Sequence, residues 1–129
     1  DSPANSSETT EIARAITGMT AVPIADWTGS ISLGELGGLC EVADLYIGND
    51  TGPTHVAAAV GCATLVIFGP SNPAYSRPYG TKGQVVALWH DWQVEGEAGR
   101  PFGWDVGVAV EEVVTAVDKM LSQKIEVKK

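Results

Sequence analysis

Apolar runs of strand length recur along the chain at 44–48, 63–68 and 84–88. A shorter run, Ala21-Val22-Pro23-Ile24, predicts a further strand at about 20–24, and its proline puts that strand at an edge or an end. Helical spacing fills the intervals. Ile12, Ile16 and Met19 fall at i, i+4 and i+7 and predict a helix over 8–17, with Gly18 near its stop. Ser32-Leu33-Gly34-Glu35 has the form of a capping box, and Ile31 is spaced to staple onto Leu36. The helix that follows sets Leu36, Leu39, Cys40 and Ala43 on one face. Gly34, Gly37 and Gly38 each weaken it by up to about 1 kcal/mol relative to alanine, which predicts close packing of that helix against a neighbour, a sheet first, or against a ligand. Pro53 suits a first helical position, and Gly61 suits a left-handed C-terminal cap. Val110, Val113, Val114, Val117 and Leu121 complete an amphipathic helix. Strand and helix alternate, so the pattern predicts an α/β domain with a Rossmann-like parallel sheet of four strands.

Loops join these elements. Residues 71–83 are rich in proline and glycine. Residues 89–107 hold Trp89, His90, Trp92 and Trp104, which read as loop packing, and Asp91, Glu95 and Glu97, which read as a solvated face.

Composition narrows the function classes. The 129 residues suffice for a single domain over 1–129 with a modest core, and 1–6 and 123–129 are expected to be flexible ends. Net charge is −8, and before Lys119 fifteen acidic residues face four basic ones. That balance argues against nucleic-acid binding. Cys40 and Cys62 lack metal-ligand spacing and read as free, buried thiols of a reducing compartment. The opening DSPANSSETTE is polar and acidic, unlike a secretory signal. The longest near-apolar run, 56–69, is too short to span a bilayer. A cytoplasmic location is the expectation.

The chemistry concentrates after the strand at 44–48. Gly48-Asn49-Asp50-Thr51-Gly52 is dense in turn residues, and a helix begins directly behind it. A helix N-terminus offers unpaired N–H groups and the positive end of the helix dipole. Gly52 admits a ligand close to the backbone, and Thr51, Thr54 and His55 add side-chain donors. The turn follows the carboxyl end of a strand, where open α/β sheets bind ligands. A phosphate or pyrophosphate fits this description, helped by Arg77 or Lys82. Asp50 acting only as a helix cap fits the same residues. His55 reads as a binding group rather than a general base, because an imidazole at a helix N-terminus is disfavoured from holding a proton.

The wording of the stretch adds to its physics. Asp50-Thr51-Gly52-Pro53-x-His55, Ala57-Ala58-Ala59-x-Gly61, Phe68-Gly69-Pro70-Ser71-x-Pro73 and Pro78-Tyr79-Gly80 occur in that order. Together they resemble glycosyltransferase family 9, whose best-known members are ADP-heptose:lipopolysaccharide heptosyltransferases. The resemblance implies a GT-B architecture of two Rossmann-type domains, and this chain is similar only to the C-terminal, donor-binding part. It implies that Asp50 contacts sugar hydroxyls, that Thr51 and Gly52 present amides to the pyrophosphate, and that His55 sits beside it. It implies a nucleoside contact from a carboxylate on the first helix, with Glu8 the better match and Glu11 the next. It places the Ile31-Ser32 loop near the base. The implied partners are a nucleoside-diphosphate sugar, ADP-heptose, and a lipopolysaccharide core acceptor, met peripherally at the inner membrane face. No cofactor and no metal are implied.

The family's catalytic carboxylate and its phosphate-binding lysine belong to segments with no counterpart in these residues. This stretch alone is therefore expected to be inactive. Its four strands would be the third to sixth of a Rossmann sheet, with the first two supplied by another segment, and a missing N-terminal acceptor domain or a companion chain is the further expected partner. A non-catalytic nucleotide-sugar-binding or assembly module is the alternative. A GT-B sugar epimerase fits Pro53-Thr54-His55 less well.

Overall fold

Parallel strands need crossovers longer than a hairpin turn, and helices supply them here. The computed structural model describes residues 6–76, 78, 84–95 and 101–128. Its elements are α1 (Ser6–Met19), α2 (Leu33–Val42), β1 (Tyr46–Asn49), α3 (Gly52–Ala59), β2 (Thr64–Ile67), α4 (Pro73–Ser76), β3 (Val85–Leu88), α5 (Trp92–Glu95) and α6 (Val110–Lys128). They divide into two units, one ending at Glu35 and one beginning at Leu36.

In the first unit α1 forms where the periodicity predicts it, yet Ile12, Ile16 and Met19 stay exposed. The strand expected at 20–24 does not form. Its polar groups are spent locally: the Val22 N–H donates to Thr20 Oγ1 at 3.1 Å. Pro23 has no N–H to give. Val22 and Ile24 are exposed, so neither burial nor a ladder holds the segment extended. A turn follows, in which the Ser30 N–H and hydroxyl both donate to Trp27 O and Gly29 takes φ 68°. The capping box is present: the Ser32 N–H donates to Glu35 Oε1 (3.0 Å), and the Glu35 N–H donates to Ser32 Oγ (3.1 Å).

In the second unit β1, β2 and β3 form one parallel sheet in that order, with Tyr46 opposite Thr64 and Thr64 opposite Val85. Three strands among the described residues replace the four expected. β2 is the central strand, and Leu65 and Val66 on it are fully buried, as is Phe68 just beyond. Each such side chain contributes roughly 1.5–3 kcal/mol by leaving water. α3 packs on β1 and β2, and α6 packs on β2. A cluster of Cys40, Ala57 and Cys62 is lined by Leu36, Ala43, Tyr46 and Val60. Both cysteines are buried thiols outside any disulfide, and burial raises the Cys40 thiol pKa, with Cys62 adding to it.

Gly37 has a different cause from the one the sequence suggested. A Cβ there would meet Val56 Cγ1 at 3.6 Å and Val60 Cγ1 at 3.9 Å, so the close approach is of α2 to α3, helix on helix. Gly38 faces open space. Gly61 closes α3 as expected, with φ 92° and its N–H donating to Ala58 O.

Trp92, Phe102 and Trp104 of the 89–107 stretch pack together. Phe102 sits edge-on between Trp92 (5.7 Å) and Trp104 (5.1 Å), and Trp92 Nε1 donates to Pro70 O. His90 Nε2 lies 2.8 Å from both carboxylate oxygens of Glu112, and Glu112 Oε1 also accepts from the Ala109 N–H at the start of α6.

Candidate functional site

Because the sheet is parallel, all three strands end at the same edge, and the turn after β1 opens there. Its shape follows from Asn49. The Asn49 carbonyl accepts two hydrogen bonds, from Thr51 N–H at 2.9 Å and from the Thr54 hydroxyl at 2.6 Å. Asn49 Oδ1 accepts a third, from the Thr51 hydroxyl at 3.1 Å. Thr51 is the N-cap of α3, with extended backbone (φ −139°, ψ 169°) and no side-chain cap bond. The N-cap position therefore falls on Thr51 rather than on Asp50. The Thr51 carbonyl then accepts from the N–H groups of Thr54 and His55, which starts the helix.

At the start of α3 this arrangement leaves the Gly52 N–H over. Pro53 has none, Thr51 N–H is turned to Asn49, and the Gly52 N–H has no acceptor among the described residues. A Cβ built on Gly52 meets no described residue within 4 Å, and its φ is not positive. Neither packing nor backbone conformation accounts for glycine there. Open space over an unpaired N–H at the positive end of a helix dipole suits an anion.

His55 and Asp50 flank that space. His55 Nε2 lies 3.3 Å from Asp50 Oδ1, and the two side chains are 46% and 22% exposed, so the pair faces solvent rather than the core. Thr54, counted from the sequence as a donor toward a ligand, is fully buried, and its hydroxyl is committed to Asn49 O. It is part of the frame, not of the lining.

The other expected site residues belong to the first unit. Glu8 is exposed in the first turn of α1, and Glu11 is exposed one turn further on. Ile31 is half-buried, and Ser32 is engaged in the α2 capping box. Arg77 and Lys82 lie outside the described residues. Asp50, Thr51, Gly52 and His55 are the expected residues that share one turn.

Sequence reasoning missed Gly48 as a site-shaping residue. Its missing Cβ would sit 2.6 Å from Thr54 Oγ1, so the hydroxyl reaches Asn49 only because residue 48 has no side chain. A glycine inside a strand pattern is the signal that marks such an approach. A cavity of about 240 Å³ opens at other residues, His90, Asp105, Val106 and Gly107. No group of three metal-ligating side chains occurs among the described residues.

Comparison with known proteins gives the turn a context. Residues 2–100 match the family described as glycosyltransferase family 9 (heptosyltransferase). Lipopolysaccharide heptosyltransferase 3 of Escherichia coli strain K12 is 30% identical over 117 residues, which is 88% of this chain and 33% of that protein. The protein of the same name from Escherichia coli is 28% identical over 81% of this chain and 31% of its own length. The crystal structure of a family 9 glycosyl transferase from Veillonella parvula DSM 2008 superposes with a TM-score of 0.68 at 27% identity, covering 94% of this chain and 35% of that one. This chain thus spans about a third of the length of the relatives it matches.

Proposed function

Because this chain belongs to glycosyltransferase family 9, we propose that it is the donor-binding part of an inverting glycosyltransferase that moves heptose from ADP-heptose to a lipopolysaccharide core acceptor. The observation that carries the reading is the Gly52 N–H at the N-terminus of α3, which has no acceptor among the described residues and no described residue packed over its Cα. The diphosphate lies against that amide, with His55 beside it. The Asp50 carboxylate accepts from sugar hydroxyls. Glu8, or Glu11, and the Ile31-Ser32 loop meet the nucleoside. As the acceptor oxygen attacks, the bond from the sugar to the diphosphate breaks and negative charge grows on the leaving phosphate. A fixed N–H and a helix dipole stabilise that charge more than the ground state, which is how binding becomes rate. The base that deprotonates the acceptor comes from an acceptor-binding segment outside these residues.

β1 is one of the two edge strands of the sheet among the described residues, and Ile47 on it is exposed. Under this reading strands from another segment of the donor domain or a companion chain cover that edge. The site works in the cytoplasm, against an acceptor held at the inner membrane face. No described helix is long and apolar enough to cross a membrane.

Calorimetric titration with ADP tests the proposal. Gly52→Val in the full-length gene product puts a branched side chain where the structure has open space. Affinity should fall at least tenfold with little change in thermal midpoint. Unchanged affinity would remove this turn from the donor site.

A further inference from the structure

We propose that Thr54 is a positioning residue of the nucleotide site, acting through the Asn49 carbonyl and touching no ligand. The inference rests on the donor-binding reading of the turn. Thr54 is fully buried, which removes it from any ligand surface. Its hydroxyl donates to Asn49 O at 2.6 Å and lies 3.5 Å from the Tyr46 hydroxyl. The strand beneath is hollowed to admit it, since a Cβ at Gly48 would stand 2.6 Å from Oγ1.

A carbonyl oxygen has two lone pairs. At Asn49 one takes the Thr54 hydroxyl and the other the Thr51 N–H. The first bond fixes the carbonyl against α3. The second turns the Thr51 peptide inward. Gly52, next in the chain, is left with the N–H that no described residue accepts. Without the Thr54 hydroxyl, Asn49 O loses its shortest anchor and the turn is held only by its own local bonds. The cost appears as a poorly aimed Gly52 amide, because hydrogen bonds weaken steeply with misalignment. The hydroxyl is thus the link between a packed core position and the direction of the phosphate-facing donor.

The test is calorimetric titration of the full-length gene product with ADP, paired with thermal midpoints. Thr54→Ser keeps the hydroxyl and should bind ADP within twofold of wild type. Thr54→Val keeps the shape without the hydroxyl and should bind about tenfold more weakly at a temperature where circular dichroism shows it folded. Thr54→Ala repeats the measurement if the valine variant does not fold. Met120→Ala, in the core on α6, supplies a destabilised control whose affinity should stay within twofold. Unchanged ADP affinity in Thr54→Val overturns the inference and leaves the donor reading standing. Equal losses in Thr54→Val and Met120→Ala, or in Thr54→Ser and Thr54→Val, overturn it too. Failure of the wild type itself to bind ADP overturns the donor reading, and this inference with it.

Discussion

A single methyl group added at Gly48 should destabilise the second unit, whereas the same change at Gly52 should not. An ideal Cβ on Gly48 falls 2.6 Å from Thr54 Oγ1, 2.7 Å from Tyr46 Cε1 and 3.1 Å from the Tyr46 hydroxyl. Thr54 is fully buried and can withdraw only by giving up its bond to Asn49 O. Tyr46 packs on the Cys40–Cys62 cluster and can swing only by opening it. Overpacking of this kind costs about 1–3 kcal/mol. Losing the buried hydrogen bond adds about 0.5–1.5 kcal/mol. Alanine recovers about 0.5–1 kcal/mol of the entropy that glycine loses in a strand. The net loss centres on roughly 2 kcal/mol, which at a urea m-value of about 2 kcal/mol/M lowers the midpoint by about 1 M. Gly52→Ala meets nothing within 4 Å, and its midpoint should change by less than about 0.5 kcal/mol equivalent. Urea unfolding followed by circular dichroism compares the two. An unchanged midpoint for Gly48→Ala, or an equal fall for both, would refute the reasoning from the Gly48–Thr54 contact.

Asp50→Ala should reduce sugar transfer more than ADP affinity, because ADP carries no donor sugar; equal losses would instead give Asp50 a role only in shaping the turn. Acid should weaken two helix starts. Hydrogen bonds from Ser32, its N–H first, hold Glu35 below the usual 4.5, and those from the Ala109 N–H and then His90 do the same for Glu112. A lowered folded-state pKa means the contribution is present above the unfolded value and is lost as pH falls through the folded one. Thermal midpoints should therefore drop on acidification below about 4.5, and by less in a Glu35→Gln, Glu112→Gln double variant; equal slopes would contradict this. Tyr46 directs its N–H at Ala63 O, so the Ile47 N–H points to the open edge. It should exchange quickly in this chain alone and slowly in the full-length product, and equal exchange would mean that the edge stays uncovered.

The residues alone determined most of the local architecture. The alternation of apolar runs with helical spacing was enough for a parallel α/β domain, and Ser32 with Glu35 announced a capping box that forms as written. Gly61 announced a left-handed cap for the same reason: a local backbone conformation has a local signature. The Asp50–His55 motif was legible because its residues lie within six positions of one another, and a short turn brings them together without help from the rest of the chain. What pairs with what was not legible. Residues 20–24 have strand character, but a strand exists only where a neighbour takes its hydrogen bonds, and that segment spends one on Thr20 instead. Gly37 signalled close approach correctly while leaving its partner open, since only the packed helices reveal Val56 and Val60 beneath it. Thr54 was the sharpest difference. In sequence it is one more hydroxyl beside a phosphate-like turn. In the fold its position on α3, facing a glycine on β1, buries it and commits its proton to Asn49. Residue type told which groups could donate, and tertiary packing decided which donors were left for a ligand.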